Sequence, residues 1–262
     1  MALEAISLDA LHYTLEDPPK SPLKRGTSDP VPPFLRGARG DQTEVPKPDR
    51  ERIQAQFPLS QQWERELGNE GKPAIFLDKD GTLVIDVPYN VDPERIQLYP
   101  GVAAGVRQLH QAGYALVVVS NQSGVARGYF QESALGAVEE RLRDLLGVPL
   151  TGFYYCPHHP AGTVPEYAIA CACRKPEPGM LLQAAADHHL DLSQSWLIGD
   201  ILNDVEAAHR ARCRAVLISN GNETEWQMGE GRIPDYVASD LWDAAHFILD
   251  SRKQTWVNPI NP

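Results

Sequence analysis

Four carboxylates carry the first chemical signal. Asp78 and Asp80 stand one residue apart in FLDKDGTLV, directly after the apolar run 74–77, and Asp200 and Asp204 stand in GDILND, directly after the apolar SWLIG. Extended chain puts alternate side chains on one face, so Asp78 and Asp80 can enter one site. Gly81 permits a sharp turn behind them, and Thr82 adds a hydroxyl. Like charges gathered at one point are unfavourable unless a cation sits among them. An all-oxygen donor set selects a hard cation, and Mg2+ is the expected one. Two further segments supply partners for an anion. YALVVVS ends in Ser120 and Asn121, a hydroxyl and an amide, and Arg174-Lys175 precedes Pro176 and a helix start. Either basic residue can neutralise a phosphate. The plainer alternative makes DKDG a surface turn and GDILND a helix cap, but two such pairs at the ends of two apolar strands favour a shared site.

A second constellation lies in CPHHPAGTVPEYAIACACRKP. Cys156, His158, Cys171 and Cys173 are spaced C-x-H-x12-C-x-C. Three thiolates and an imidazole make a closed tetrahedral Zn2+ site. With all four ligands from the protein, the role is structural: a metal clip holding a long loop in place of a core. Three buried thiols or a redox pair is the alternative. His159 is not counted as a ligand, and Cys213 reads as a small buried apolar residue.

These residues need a scaffold that brings distant segments to one edge. From residue 72 onward, apolar strands alternate with amphipathic helices. AIFLD, YALVVVS, FYYC, SWLIGD and AVLIS read as strands; GVAAGVRQLHQAG, ESALGAVEERLRDLLG, PGMLLQAAADHHL and NDVEAAHRARC read as helices; YVASDLWDAAHFIL adds a short strand and a last helix. This order predicts an α/β fold, a Rossmann-like parallel sheet with helices on both faces. Ligands of such sheets bind beyond the carboxyl ends of the strands, where the acids stand. Residues 1–70 read differently. The stretch 17–52 is rich in Pro, Gly and charge, which predicts a disordered extension, with a short helix within 58–70. The expected organisation is extension 1–70, catalytic domain 71–251 and tail 252–262.

Among 262 residues, 42% are apolar and 23% charged, ordinary for a soluble globular protein, and the formal charge is −11. That charge disfavours nucleic-acid or anionic-membrane partners, while a local metal and a few basic groups still admit a phosphorylated metabolite. No apolar run is long enough to span a bilayer, and the N-terminus lacks a secretory pattern, so the expected location is the cytoplasm, where thiols stay reduced. A monomer is the default expectation.

The order DKDGT, a strand ending in Ser120, Lys175, then GDILND resembles the haloacid dehalogenase-like phosphatases over residues 72–250. The resemblance implies Mg2+-dependent phosphoester hydrolysis. Asp78 attacks phosphorus and forms an aspartyl-phosphate, and Asp80 protonates the leaving group and then activates water. Mg2+ is held by Asp78, the backbone carbonyl of Asp80, and Asp200. Ser120 and Lys175 bind the phosphoryl oxygens, and Asp204 orients Lys175 or a metal-bound water. Strand alternation makes Lys79 project opposite to its neighbours Asp78 and Asp80, so it is given no catalytic role. CPHHP…CACRKPEPGM together with SNQSGVARGYF is similar to the heptose 1,7-bisphosphate phosphatases, relatives of the histidinol-phosphate phosphatases. That branch lacks a large cap domain and shapes its pocket with small loops. It implies a sugar-phosphate substrate, with Asn121, Arg127 and Arg174 on the sugar or its second phosphate, and Glu177 and residues 86–90 along the pocket. Two features depart from it: Ile201 stands where a lysine often follows GD, and residues 86–90, DVPYN, differ from the usual loop. Histidinol phosphate is the alternative substrate. A non-catalytic zinc-stabilised interaction module is the alternative class, and it would need neither Asp78 nor Asp80.

Overall fold

The computed structural model describes residues 71–224 and 226–254. The extension and short helix expected over 1–70, and residues 255–262 of the expected tail, lie outside the described residues. Six strands form one sheet: β1 (Lys72–Leu77), β2 (Ala115–Asn121), β3 (Gly152–Cys156), β4 (Leu190–Gly199), β5 (Arg214–Ile218) and β6 (Tyr236–Ala238). Five helices connect and follow them: α1 (Val102–Gln111), α2 (Leu135–Leu146), α3 (Gly179–His188), α4 (Leu202–Arg210) and α5 (Leu241–Gln254). The last helix thus runs past residue 251, the expected domain boundary.

The sheet order is β3-β2-β1-β4-β5-β6, and all five pairings are parallel. Alternation along each strand divides the core in two. Ile75 and Leu77 of β1 point into one layer with Val102, Val106 and Leu109 of α1, Val138, Leu142 and Leu146 of α2, and Leu241, Ala244 and Ile248 of α5. Ala74 and Phe76 point into the other with Leu181 and Ala184 of α3 and Val205 and Ala208 of α4. The helical residues recur at three- and four-residue steps, the period of a helix face laid on a sheet. Truncating a fully buried one such as Leu142 to Ala would cost about 2–5 kcal/mol. Cys213 is buried in the second layer, and burial pushes its thiol up.

One element differs from the sequence reading. β4 begins at Leu190, expected in the preceding helix, well before SWLIG. Helix α3 stops because His189 takes a left-handed φ of 52°. Leu190 and Asp191 then pair with Lys72 and Pro73, and the register slips before Ile75 meets Trp196. Ser195 closes the gap by accepting the Ala74 amide on its Oγ at 2.8 Å and donating to the Asp191 carbonyl at 2.5 Å. An apolar Leu suits a helix end and a buried strand equally, so composition does not separate them.

The chain order reverses between β1 and β4, the switch point where doubly wound sheets bind ligands. Asp78 follows β1 there and Asp200 follows β4. Among the described residues, no helix is long and apolar enough to cross a membrane.

Candidate active site

Asp78 continues β1 by one residue, its amide donating to the Ile198 carbonyl at 3.0 Å. The chain then turns. The Lys79 carbonyl accepts the amides of Leu83 and Val84, both at 3.0 Å, and Gly81 sits at φ 85°. That glycine is required twice over: its φ is left-handed, and a Cβ there would stand 2.1 Å from Asp200 Oδ2. The turn presses the first acidic motif against the second. Thr82 Oγ1 donates to Asp200 Oδ1 at 2.9 Å, and Asn222 Nδ2 donates to Asp200 Oδ2 at 2.8 Å. Asn220 Nδ2 donates to the Gly81 carbonyl at 2.6 Å.

Lys175 lies at the centre, almost wholly buried. Its Nζ meets Asp78 Oδ1 at 2.5 Å, Asp204 Oδ1 at 2.6 Å and the Val119 carbonyl at 3.0 Å. The position Asp204 needs is open because residue 199 is glycine; a Cβ there would lie 2.4 Å from its carboxylate. Of the two roles that the family resemblance implies for Asp204, its side chain takes up the pairing with Lys175. Burial alone would lower the Lys175 ammonium, but Asp204 and Asp78 outweigh it and hold the group above its ordinary value. Burial pushes the Asp78 carboxyl well up, against the pull of Lys175 and with the help of Asp204 and Asp200. Asp200 is pushed up to about 6, by burial first and then by Asp204.

Oxygens of Asp78, Asp200 and Asp204 all lie within 4.8 Å of one another. Three carboxylates face a single ammonium in this buried cluster, an imbalance that a hard divalent cation fits. Asp80 is not in that set. Its carboxylate turns away, one oxygen on Lys79 Nζ and the other on Gln122 Nε2 at 3.0 Å. Lys79 therefore does not project away from its neighbours as strand alternation suggests. The regular strand ends at Leu77, and the buried lysine curls back onto Asp80.

Ser120 is buried at the end of β2 and accepts from Gln122 Nε2 at 2.7 Å. Asn121 lies beside it, but both ends of its amide are engaged with the backbone of Lys175: Oδ1 accepts the Lys175 amide at 3.0 Å, and Nδ2 donates to the Lys175 carbonyl at 3.1 Å. It holds the lysine in place. Gln122, Asn220 and Asn222 carry no signal in sequence beyond their nearness to SN and to the end of β5.

A cavity of about 280 Å3 opens beside Asp80, lined by Asp86, Tyr89, Asn121, Gln122 and Ser123 among others. The expected 86–90 loop thus borders it. Glu177 does not; its carboxylate pairs with Arg210 at 2.6 Å. Burial, then the charge of Asp80, raises the Asp86 carboxyl. Arg127 Nη2 lies 3.3 Å from His159 Nε2, and buried Arg127 Nε and Arg174 Nη1 have no partner among the described residues. Burial, Arg174 and Arg127 together lower the His159 imidazole, so these three basic groups share one neighbourhood.

Cys156, His158, Cys171 and Cys173 converge, all four ligand atoms within 4.8 Å of one another. Cys173 Sγ is 3.0 Å from Cys156 Sγ, 3.2 Å from Cys171 Sγ and 3.3 Å from His158 Nδ1. Hydrogen bonds among the thiols shift them in opposite directions: the contact with Cys156 pulls the Cys171 thiol down, and the contacts with Cys171 and Cys156 push the Cys156 and Cys173 thiols up.

Comparison with known proteins agrees with this geometry. The HAD-hydrolase-like family model matches residues 172–244. The chain is 45% identical over 185 residues to the D-glycero-beta-D-manno-heptose-1,7-bisphosphate 7-phosphatase of Escherichia coli K12, covering 69% of this chain and 96% of that protein. It is 40% identical over 185 residues to the Salmonella typhi enzyme of the same name, covering 69% and 97%. The crystal structure of D,D-heptose 1,7-bisphosphate phosphatase from B. bronchiseptica, complexed with magnesium and phosphate, superposes with a TM-score of 0.56 at 32% identity, covering 68% of this chain and 99% of that one. The fold and the acid cluster define a haloacid dehalogenase-like phosphatase, a phosphoric monoester hydrolase. Within that class, the chain belongs to the family of the heptose 1,7-bisphosphate 7-phosphatases.

Proposed function

We propose that this protein removes the 7-phosphate of a D-glycero-D-manno-heptose 1,7-bisphosphate, in the synthesis of nucleotide-activated heptose, through an aspartyl-phosphate on Asp78. The observation that carries this is the buried Asp78 carboxylate gripped by Lys175, at the switch point of the sheet and in a chain 45% identical to such an enzyme. An Asp78 oxygen forms a bond to phosphorus as the bond from phosphorus to the sugar oxygen breaks, and Asp80 gives that oxygen its proton. Asp80 next takes a proton from water as the water oxygen bonds to phosphorus; the Asp78–phosphorus bond breaks and phosphate leaves. Lys175 and Ser120 contact the phosphoryl oxygens throughout.

Asp78, Asp200 and the backbone carbonyl of Asp80 would hold Mg2+, which supplies the positive charge that lets a carboxylate approach a phosphate. The cradle fits such an ion: Gly81 leaves the space beside Asp200 clear, and three carboxylates gather there. Cys156, His158, Cys171 and Cys173 would hold Zn2+, a structural ion that removes the thiols' competition for protons and braces the loop leading into Arg174 and Lys175. Arg127 and Arg174 would meet the phosphate that is not cleaved, supported by their buried nitrogens that lack a partner among the described residues. In this reading residues 71–251 form the catalytic domain, a monomer acting in the cytoplasm without a large cap, and 1–70 an extension not needed for turnover.

The test is phosphate release with Mg2+ across both anomers of heptose 1,7-bisphosphate, histidinol phosphate and fructose 1,6-bisphosphate, with Asp78→Asn as control. Strong selectivity for a heptose bisphosphate is expected. Asp78-dependent but indiscriminate activity would overturn the substrate assignment while keeping the chemistry.

A further inference from the structure

Asp80 has the most demanding part in the proposed reaction, giving a proton in one step and taking one in the next, yet it sits on the rim of the cavity. Its side chain is one-third exposed (33%), unlike the buried Asp78 and Asp204. A carboxylate at a wet rim samples several rotamers unless something holds it. Two buried side chains do so, from opposite sides.

Lys79 is 2% exposed, and its ammonium meets Asp80 Oδ1. Gln122 is 5% exposed, and its Nε2 donates to Asp80 Oδ2 at 3.0 Å and to Ser120 Oγ at 2.7 Å. An ionised carboxylate only accepts, which fixes the amide nitrogen of Gln122 as the end that faces it. Gln122 is itself anchored, its backbone amide donating to the Cys156 carbonyl at 2.8 Å and its carbonyl accepting from Val125 at 3.3 Å. Lys79 is anchored by the turn that closes on its carbonyl. Asp86, across the cavity, is a further charged group that interacts with this pair.

We propose that Lys79 and Gln122 are positioning residues that clamp Asp80 in the orientation from which it delivers its proton to the leaving oxygen, with Gln122 also tying that orientation to Ser120. Each carboxylate oxygen has two lone-pair sites. The clamp takes one on each oxygen and leaves the others for the travelling proton. This rests on the reading of Asp80 as general acid, and it concerns alignment, so its signature is dependence on the leaving group. A leaving group that departs readily as an anion needs little help from Asp80; a poor one needs all of it.

The experiment measures kcat/KM on a series of aryl phosphates, from 4-nitrophenyl to unsubstituted phenyl, and on an alkyl sugar phosphate. It compares the unaltered protein with Gln122→Met, Gln122→Glu, Lys79→Met and Lys79→Arg. The two methionine variants and Gln122→Glu are expected to lose roughly 10- to 100-fold more on phenyl than on 4-nitrophenyl phosphate, with KM nearly unchanged and Lys79→Arg keeping most of the activity. Equal losses along the series at both positions, or none, would overturn the clamp. The two positions and the near-isosteric Gln122→Glu keep the test decisive if one variant folds poorly. Failure of the unaltered protein on the sugar phosphate alone would count against the substrate reading, because the aryl series still tests the clamp.

Discussion

Two clusters of four residues in this protein are built in opposite ways. Asp78, Lys175, Asp200 and Asp204 come from three segments more than 20 residues apart, yet the ends of β1 and β4 deliver Asp78 and Asp200 to one point and the first turn of α4 adds Asp204. Cys156, His158, Cys171 and Cys173 come from a single stretch of chain, and apart from Cys156, the last residue of β3, they stand on loops. The acid cluster inherits its geometry from the hydrophobic core. The thiol cluster lies at the margin of the second core layer, with Cys156 buried in it and Cys171 and Cys173 packed against it from loops, and its four ligand atoms also contact one another. A site on strand ends should therefore keep its shape when its charges are altered, and a loop site should not.

The largest effect should come from the acid cluster. Asp78→Asn is expected to lower turnover by at least ~10³-fold while the far-ultraviolet spectrum and the unfolding midpoint stay close to those of the unaltered protein, as Lys175 keeps Asp204. A collapse of the fold would mean that the core does not set this site. Cys171→Ala should do the reverse: zinc content by elemental analysis falls, stability drops by on the order of 3 kcal/mol, and turnover falls only ~10-fold through the loop that leads into Lys175. Unchanged zinc would refute the ligand set.

Asn121→Ala sharpens the comparison, because this residue joins the acid cluster to the loop that carries Lys175. Losing both bonds to the Lys175 backbone should cost about 1–3 kcal/mol in stability and about tenfold in kcat with little change in KM. A rise in KM alone would return Asn121 to the substrate-binding role that the family resemblance implies.

The smallest effect concerns protons. Asp200 is pushed up to about 6 in the metal-free protein, and only its anion binds a cation. As pH falls through about 6, protons compete with Mg2+, so the Mg2+ concentration for half-maximal rate should rise. It should level off above that pH, where Asp200 is already ionised. A requirement that is flat between about pH 5 and pH 8 would contradict the placing of Asp200 among the ligands.

Some parts of this site are legible in the sequence and others are hidden, for physical reasons. Asp78 and Asp200 stand out because each follows an apolar strand and strand ends meet at one edge of a parallel sheet. The thiol cluster stands out because its ligands are neighbours in the chain. Strand alternation misplaces Lys79 because it carries the pattern past the end of β1. Gln122 and Asn222 are invisible because their partners, Asp80 and Asp200, are 42 and 22 residues away across a closed turn. Asn121 is visible, yet the other side of its amide, the Lys175 backbone, depends on how residues 157–174 loop back. The early start of β4 is hidden because Leu190 suits a helix end and a buried strand equally, and because the pairing with β1 slips register before Trp196.

The central claim is that Asp78 becomes covalently phosphorylated. It is tested most directly by mixing the Mg2+-loaded protein with a heptose 1,7-bisphosphate, quenching within milliseconds in acid and mapping the added phosphoryl mass by peptide mass spectrometry. One phosphoryl group is expected on the peptide carrying Asp78, absent from Asp78→Asn and accumulating when Asp80 is replaced by an alkyl side chain that cannot activate water. Turnover at the normal rate with no phosphorylated peptide, or with the group on another residue, would contradict it.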